Sequence, residues 1–166
     1  MSGRSAAPGS LALVQSLVNT VDVESGADAL GTAEGLAAWG LTADDLPAAR
    51  ALRESLRAAL LAHAGHPPHA RVTPLDTLLA GAPLRLTVDA GDGSAALAPA
   101  GGAPLLSRVA LAVAEGLVAG TWQRLKACEA ADCLWAYYDR SPAGRGRWCS
   151  MQVCGARAKM RRYRAK

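Results

Sequence analysis

Four cysteines are the residues of this chain best suited to chemistry, and all four lie near its C-terminal end: Cys128 and Cys133, then Cys149 and Cys154. Each pair brackets four residues, and fifteen residues separate the pairs. Two close thiol pairs at such a separation have the form of a structural zinc site. Zn²⁺ takes four soft or borderline ligands at tetrahedral positions, and each short loop delivers two thiolates. All four cysteines of the 166-residue chain fall within 27 positions, a clustering that unrelated core thiols would not show. Two disulfides would need an oxidising compartment, and a redox or iron–sulfur role would use the same four sulfurs. The missing export signal and the basic surroundings favour zinc over both.

Spacing also constrains local structure. Cys149 and Cys154 are five residues apart, or roughly 140° around an α-helix, so an ideal helix would not aim both at one ion. Cys149 is therefore expected on the turn before a helix, Cys154 in its first turns and Ser150 as the N-cap. Between the pairs, Leu134–Tyr138 is aromatic and β-prone, Asp139–Gly146 is a turn, and Trp148 returns to the third cysteine. Knuckle, hairpin, knuckle, helix is the order of a treble-clef-like finger. So small a unit cannot build a sufficient core, and the metal must supply much of its folding free energy.

The same end of the chain is strongly basic. Residues 121–166 carry 11 Lys and Arg against 3 Asp and Glu, a net +8, whereas residues 1–120 carry 7 against 11, a net −4. On a helical wheel Val153, Ala156, Met160 and Tyr163 form an apolar stripe, expected to pack on the hairpin against Trp135 or Tyr137. Arg157, Arg161 and Arg164 line one edge of the stripe, and Lys159, Arg162 and Lys166 the other. Arg140, Arg145 and Arg147 add a second cluster. One-signed, clustered charge beside a zinc module suits nucleic-acid phosphates, and Arg can also read guanine.

The elements that carry this end are mainly helical. The chain holds 37 Ala and no Phe, and Ala is the best helix former. Leu13, Leu17 and Val21 with Val14 and Val18 fit one helical stripe, and Thr32 caps a short helix over 33–39. Pro47 opens a stronger helix to Ala64, with Ala49, Leu52, Leu56 and Leu60 inward and Arg50, Arg53, Glu54 and Arg57 outward. Thr73-Pro74 predicts a short helix to Leu79 or Ala80. Leu84, Leu86 and Val88 alternate with polar residues, the period of a half-buried strand, and 94–97 returns as its hairpin partner. Pro104 to about Lys126 reads as the longest helix, running straight into the cysteine segment. Residues 1–10 read as a disordered terminus, 11–120 as an alanine-rich helical domain with a hairpin, and 121–166 as the finger. The fold class is mainly α with a small β part (α+β). The short apolar run at Leu11 is interrupted by Gln15 and Ser16 without a cleavage site, and no apolar run could span a membrane, so a cytoplasmic protein is expected.

Other constellations are weaker. His63, His66 and His69 cross a helix end broken by Pro67-Pro68 and read as a solvated loop rather than a metal site. Asn19, Trp39 and Arg85 could line a ligand pocket, but core packing or capping is the favoured reading of them. No convergent catalytic set is visible, so no enzymatic activity is expected.

Arg124-Leu-Lys-Ala-Cys128, Asp132-Cys133, Trp135, Tyr138-Asp139-Arg140-Ser141, Arg147-Trp148-Cys149-Ser150-Met151 and Val153-Cys154-Gly155 with Arg157-Ala158-Lys159 resemble the CGNR-type zinc finger. The resemblance covers roughly residues 121–166 and holds in register through all four cysteines; Ala156 stands where that family has its name-giving Asn. Leu11-Ala-Leu with Val18-Asn19-Thr20, and Thr32, Leu36 and Trp39, resemble the alanine-rich ABATE domain that commonly precedes this finger. The resemblance implies a stress-induced bacterial transcription regulator. One structural Zn²⁺ would fold the finger, and Arg140, Arg145, Arg147, Arg157, Lys159, Arg161, Arg162 and Arg164 would meet DNA. The domain in front would sense a small-molecule effector or form a homodimer. The alternative is a zinc-ribbon-like adaptor for RNA or a protein partner, using Trp135, Tyr137 and Tyr138.

Overall fold

The computed structural model describes residues 5–101 and 104–165. The expectations placed on residues 1–4, on Gly102 and Ala103, and on Lys166 lie outside the described residues.

Helix α1 (Leu11–Val18) buries Leu11, Val14, Leu17 and Val18 along one stripe. Helix α2 (Ala33–Ala38) begins where the Thr32 side chain accepts the Gly35 N–H at 3.0 Å. Helix α3 (Leu46–His63) carries Pro47 in its first turn and buries Ala49, Leu52, Leu56, Leu60 and Leu61. Helix α4 (Leu75–Leu79) is short. Thr73 does not cap it: Pro74 holds that position without a side-chain bond, and the Thr73 carbonyl instead accepts the Ser55 hydroxyl at 2.7 Å. Strands β1 (Leu84–Val88) and β2 (Ala95–Pro99) form an antiparallel hairpin with Leu86 opposite Leu97.

Helix α5 (Pro104–Val118) does not reach Lys126. Gly120 turns the chain at φ +66°, a conformation only glycine adopts cheaply, and a single 3₁₀ turn at Trp122–Arg124 leads into strand β3 (Leu125–Ala127). The longest helix is therefore α3, at 18 residues. Strand β3 pairs antiparallel with β4 (Ala136–Tyr138), Lys126 facing Tyr137. The finger's hairpin thus brackets the first cysteine knuckle, instead of lying between the two cysteine pairs as the β-prone run suggested. Helix α6 (Ala156–Arg164) closes the described chain.

The core does not stop at residue 120. Leu11, Val14, Leu17, Leu30, Leu56, Leu60 and Val109 share one buried cluster with Leu125, Ala127, Leu134, Ala136 and Tyr138 of the C-terminal hairpin. A second cluster holds the four cysteines with Ala130 and Tyr137, flanked by Trp135 and Trp148. The described residues before α1 touch the C-terminal hairpin. Ser5 accepts the Tyr138 N–H at 3.1 Å through its carbonyl, and Ala7 is buried.

Three side-chain patterns depart from the periodicity. Arg53 and Arg57 lie on the nominally polar edge of α3 yet are 5% and 1% exposed. The alternation in β1 marks no buried face: Leu86 and Val88 are 67% and 62% exposed. The apolar stripe of the last helix stays largely uncovered among the described residues, since Val153, Met160 and Tyr163 are all exposed. Periodicity reports that a face exists; what covers it is a matter of tertiary placement.

Candidate functional site

The first knuckle is built on backbone bonds. Cys128 N–H donates to Trp135 O at 3.0 Å, and the N–H groups of Cys133 and Leu134 both donate to Ala130 O, at 2.8 and 3.0 Å. Leu134 takes φ +50°, costly for a branched side chain. The buried Arg57 holds it there, donating from its guanidinium to Leu134 O at 2.7 Å. The second knuckle is tied to the first by Glu129 N–H on Arg147 O at 3.0 Å. Ser150 then caps as its position predicts, its hydroxyl accepting Val153 N–H at 3.3 Å. Met151–Gly155 is a π-helical turn rather than α-helix, with Gly155 N–H reaching back five residues to Ser150 O at 3.0 Å. The wider turn resolves the five-residue spacing and brings Cys154 beside Cys149.

The four sulfurs all lie within 4.8 Å of one another. Cys133 and Cys149 are 3.6 Å apart and Cys149 and Cys154 3.7 Å apart. Those are the edges of a tetrahedron with ~2.3 Å metal–sulfur bonds, whose edge is about 3.8 Å, and far beyond the ~2.05 Å of a disulfide. All four cysteines are free and buried. The four thiols perturb one another in opposite directions. Hydrogen bonds from Cys133 and Cys149 hold Cys128 down to about 4, while hydrogen bonding to Cys128 and Cys133, with burial, pushes Cys149 far up. Four thiolates this close together need a divalent cation to offset their mutual repulsion, and its binding releases protons. The donor set, spacing and burial fit Zn²⁺, and the site is a structural zinc centre. When bound, the ion cross-links the two knuckles.

Asp139 organises the turn between them. Its carboxylate accepts Ser141 N–H at 3.0 Å, Ser141 hydroxyl at 2.6 Å, Gly146 N–H at 2.7 Å and Lys126 Nζ at 3.0 Å. Burial alone would raise its pKa; the bonds from Ser141 and Lys126 more than offset this and hold it well below the usual carboxylate range. Lys126 also donates to Gly144 O. Gly146 is required here, because a Cβ would sit 2.9 Å from the Asp139 carboxyl carbon.

Of the proposed pocket residues, Asn19 is fully occupied elsewhere. Its amide brackets the outer edge of β4, Nδ2 donating to Ala136 O at 2.9 Å and Oδ1 accepting Ala136 N–H at 2.7 Å. Trp39 sits at the end of α2 against the core, and Arg85 is exposed on β1, so the three do not converge. The three histidines separate as well. His63 is half-buried, stacked edge-on to Trp122 at 4.8 Å, with Nδ1 donating to Leu125 O at 2.7 Å. His66 approaches Glu129 at 3.2 Å and His69 approaches Glu54 at 3.0 Å. Sequence reasoning missed Arg57, Asn19 and His63 as links between body and finger; no local pattern marks them, because their partners lie on distant segments.

The basic residues fall into two sets. Arg140 bonds Ser5 Oγ at 2.6 Å and Ala6 O at 2.9 Å, Arg147 forks onto Glu129, Arg157 meets Glu24 at 3.0 Å, and Arg161 lies 3.6 Å from Asp132. Among the described residues, Arg145, Lys159, Arg162 and Arg164 face no carboxylate at ion-pair distance and are exposed. Lys159 and Arg162 flank an open groove of about 790 Å³ with Trp148, Met160 and Tyr163. Tyr137 and Tyr138, proposed as stacking residues of an adaptor, are instead 4% and 7% exposed, because β4 is sandwiched between the core and the cysteines. Ala156, at the position of the family Asn, is exposed.

No helix among the described residues is long and apolar enough to cross a membrane. Residues 124–166 match the CGNR zinc finger model. Residues 11–120 match the ABATE model, whose description reads "Putative stress-induced transcription regulator". No curated protein matches the chain. With both models matched in the order that the cysteine cluster and the helical body require, the chain belongs to the ABATE family and ends in a CGNR zinc finger.

Proposed function

We propose that the protein is a cytoplasmic, DNA-binding transcription regulator that acts by binding and not by catalysis. One observation carries the reading. Helix α6 leaves the zinc cluster by a π-turn, buries none of its own residues, and presents Lys159, Arg162 and Arg164 with no acidic partner among the described residues. A helix with so little to pack on has nothing to gain from that charge within the chain; backbone phosphates supply the missing partner. Arg157, Arg161 and Arg147 add contacts only by exchanging Glu24, Asp132 and Glu129 for phosphate. Arg145 extends the surface, whereas Arg140 serves the N-terminal segment.

The test is gel-shift titration of zinc-loaded protein against duplex DNA as a function of salt. For the K159A/R162A/R164A variant the slope of log K against log[salt] is expected to fall by about 3, with one zinc per chain retained. An affinity indifferent to salt, or a slope unchanged in the variant, refutes the reading. Tighter binding to single-stranded RNA than to duplex DNA would move it to the adaptor class.

A further inference from the structure

We propose that the β1–β2 hairpin is the surface through which two copies of this chain pair, β1 against β1, into one four-stranded antiparallel sheet. The ladder decides which edge is free. Asp89 N–H donates to Ser94 O and Ala100 N–H to Pro83 O, both at 2.8 Å, so the odd-numbered residues of β1 direct their backbone groups at β2. Leu84, Leu86 and Val88 therefore turn N–H and C=O outward, on an edge that no other strand covers among the described residues. On the opposite edge Ala95, Leu97 and Pro99 face outward, and Pro99 blunts one end of it because it has no N–H to give.

The free edge is also self-complementary. In an antiparallel pairing centred on Thr87, Thr87 meets its own copy, Arg85 stands opposite Asp89 of the second chain, and Leu86 opposite its Val88. Arg85 and Asp89 make no ion pair with each other within one chain, and the second carboxylate oxygen of Asp89 is left over from its turn bonds to Gly91 and Asp92. Cross-strand opposite charges, Thr–Thr and apolar pairs are the contacts that stabilise antiparallel ladders. The pairing hides Leu86 and Val88, which are otherwise 67% and 62% exposed. An uncovered edge with two large apolar side chains is a liability in a monomer; a two-fold partner removes it and closes the assembly.

Sedimentation equilibrium of full-length, zinc-loaded protein without DNA tests this separately from the regulator reading. A reversible dimer is expected. R85E sets like charges opposite at two places and should raise the dimer dissociation constant about tenfold or more. L86P deletes an outward N–H without touching the β1–β2 ladder and should leave monomer. Under mild oxidation T87C should form a disulfide-linked dimer and R85C should not, since two Cys at that position lie about 13 Å apart in this register. A monomer at every concentration, a dimer indifferent to R85E and L86P, or equal cross-linking of T87C and R85C overturns the proposal.

Discussion

Replacing Arg57 by Met tests the claim that body and finger form one cooperative unit. Methionine keeps the apolar stem and removes the guanidinium. Arg57 is 1% exposed and donates to Val18 O at 2.9 Å, to Leu134 O at 2.7 Å and to Glu54 at 2.9 Å. Each carbonyl loses a charged donor worth about 1.5–3 kcal/mol at a site where Val18, Arg57 and Leu134 are all buried. Glu54 suffers less, because it keeps Arg53 at 2.7 Å and His69 at 3.0 Å. The expected loss is ~3–5 kcal/mol, a large share of the ~5–15 kcal/mol that holds a domain folded. Urea unfolding of the zinc-loaded protein measures it. The damage should also reach the metal, since Leu134 follows the ligand Cys133 and depends on Arg57 for its φ of +50°. Competition with a chromophoric chelator should show zinc held about tenfold more weakly, as when other outer supports of a metal site are lost. A loss below ~1 kcal/mol with unchanged zinc affinity would refute the coupling.

Three further outcomes follow from the same geometry. Chelation should release amide exchange protection at 128–133 and 148–164 while Leu125–Ala127 and Ala136–Tyr138, anchored by His63, Asn19 and the core, stay protected; uniform loss over the whole chain would contradict this. K126M strands the buried Asp139 carboxylate and should cost ~3–5 kcal/mol, with K126M/D139N recovering part of it; since the folded-state pKa of Asp139 is depressed, its contribution is complete above the unfolded value of 3.8 and is lost only as pH falls through its lower folded value. Burial, aided by Lys126, lowers the pKa of His63 despite its bond to Leu125 O, so its ring should stay neutral in an NMR titration below the ordinary 6.5, and the fold should lose stability as pH drops through that value; a titration at or above 6.5 would be inconsistent with its packing on Trp122.

Much of the site was legible locally. Cysteine spacing identifies the metal because coordination demands four converging thiolates and short loops can offer only two each. Ser150, Thr32 and Pro47 announce helix starts, and the stripes of α1 and α3 appear at three- and four-residue intervals. These features depend on residues within one or two turns of each other. The π-turn at Met151–Gly155 lay just outside that reach: spacing excluded a regular helix but did not say which irregular one replaces it.

Composition, periodicity and spacing determined a helical body, a four-thiolate ion and a cationic last helix, because each follows from short-range steric or coordination rules. Tertiary structure alone decided what each exposed or charged edge meets. Arg57 reads as solvated until Leu134, 77 residues away, brings its carbonyl to the guanidinium. Asn19 reads as a local capping or pocket residue until Ala136, 117 residues on, presents a strand edge. The stripes of β1 and α6 read as buried until nothing arrives to cover them. Burial and satisfaction of a polar group depend on partners distant in the chain, and a linear pattern carries no record of which distant segment folds back.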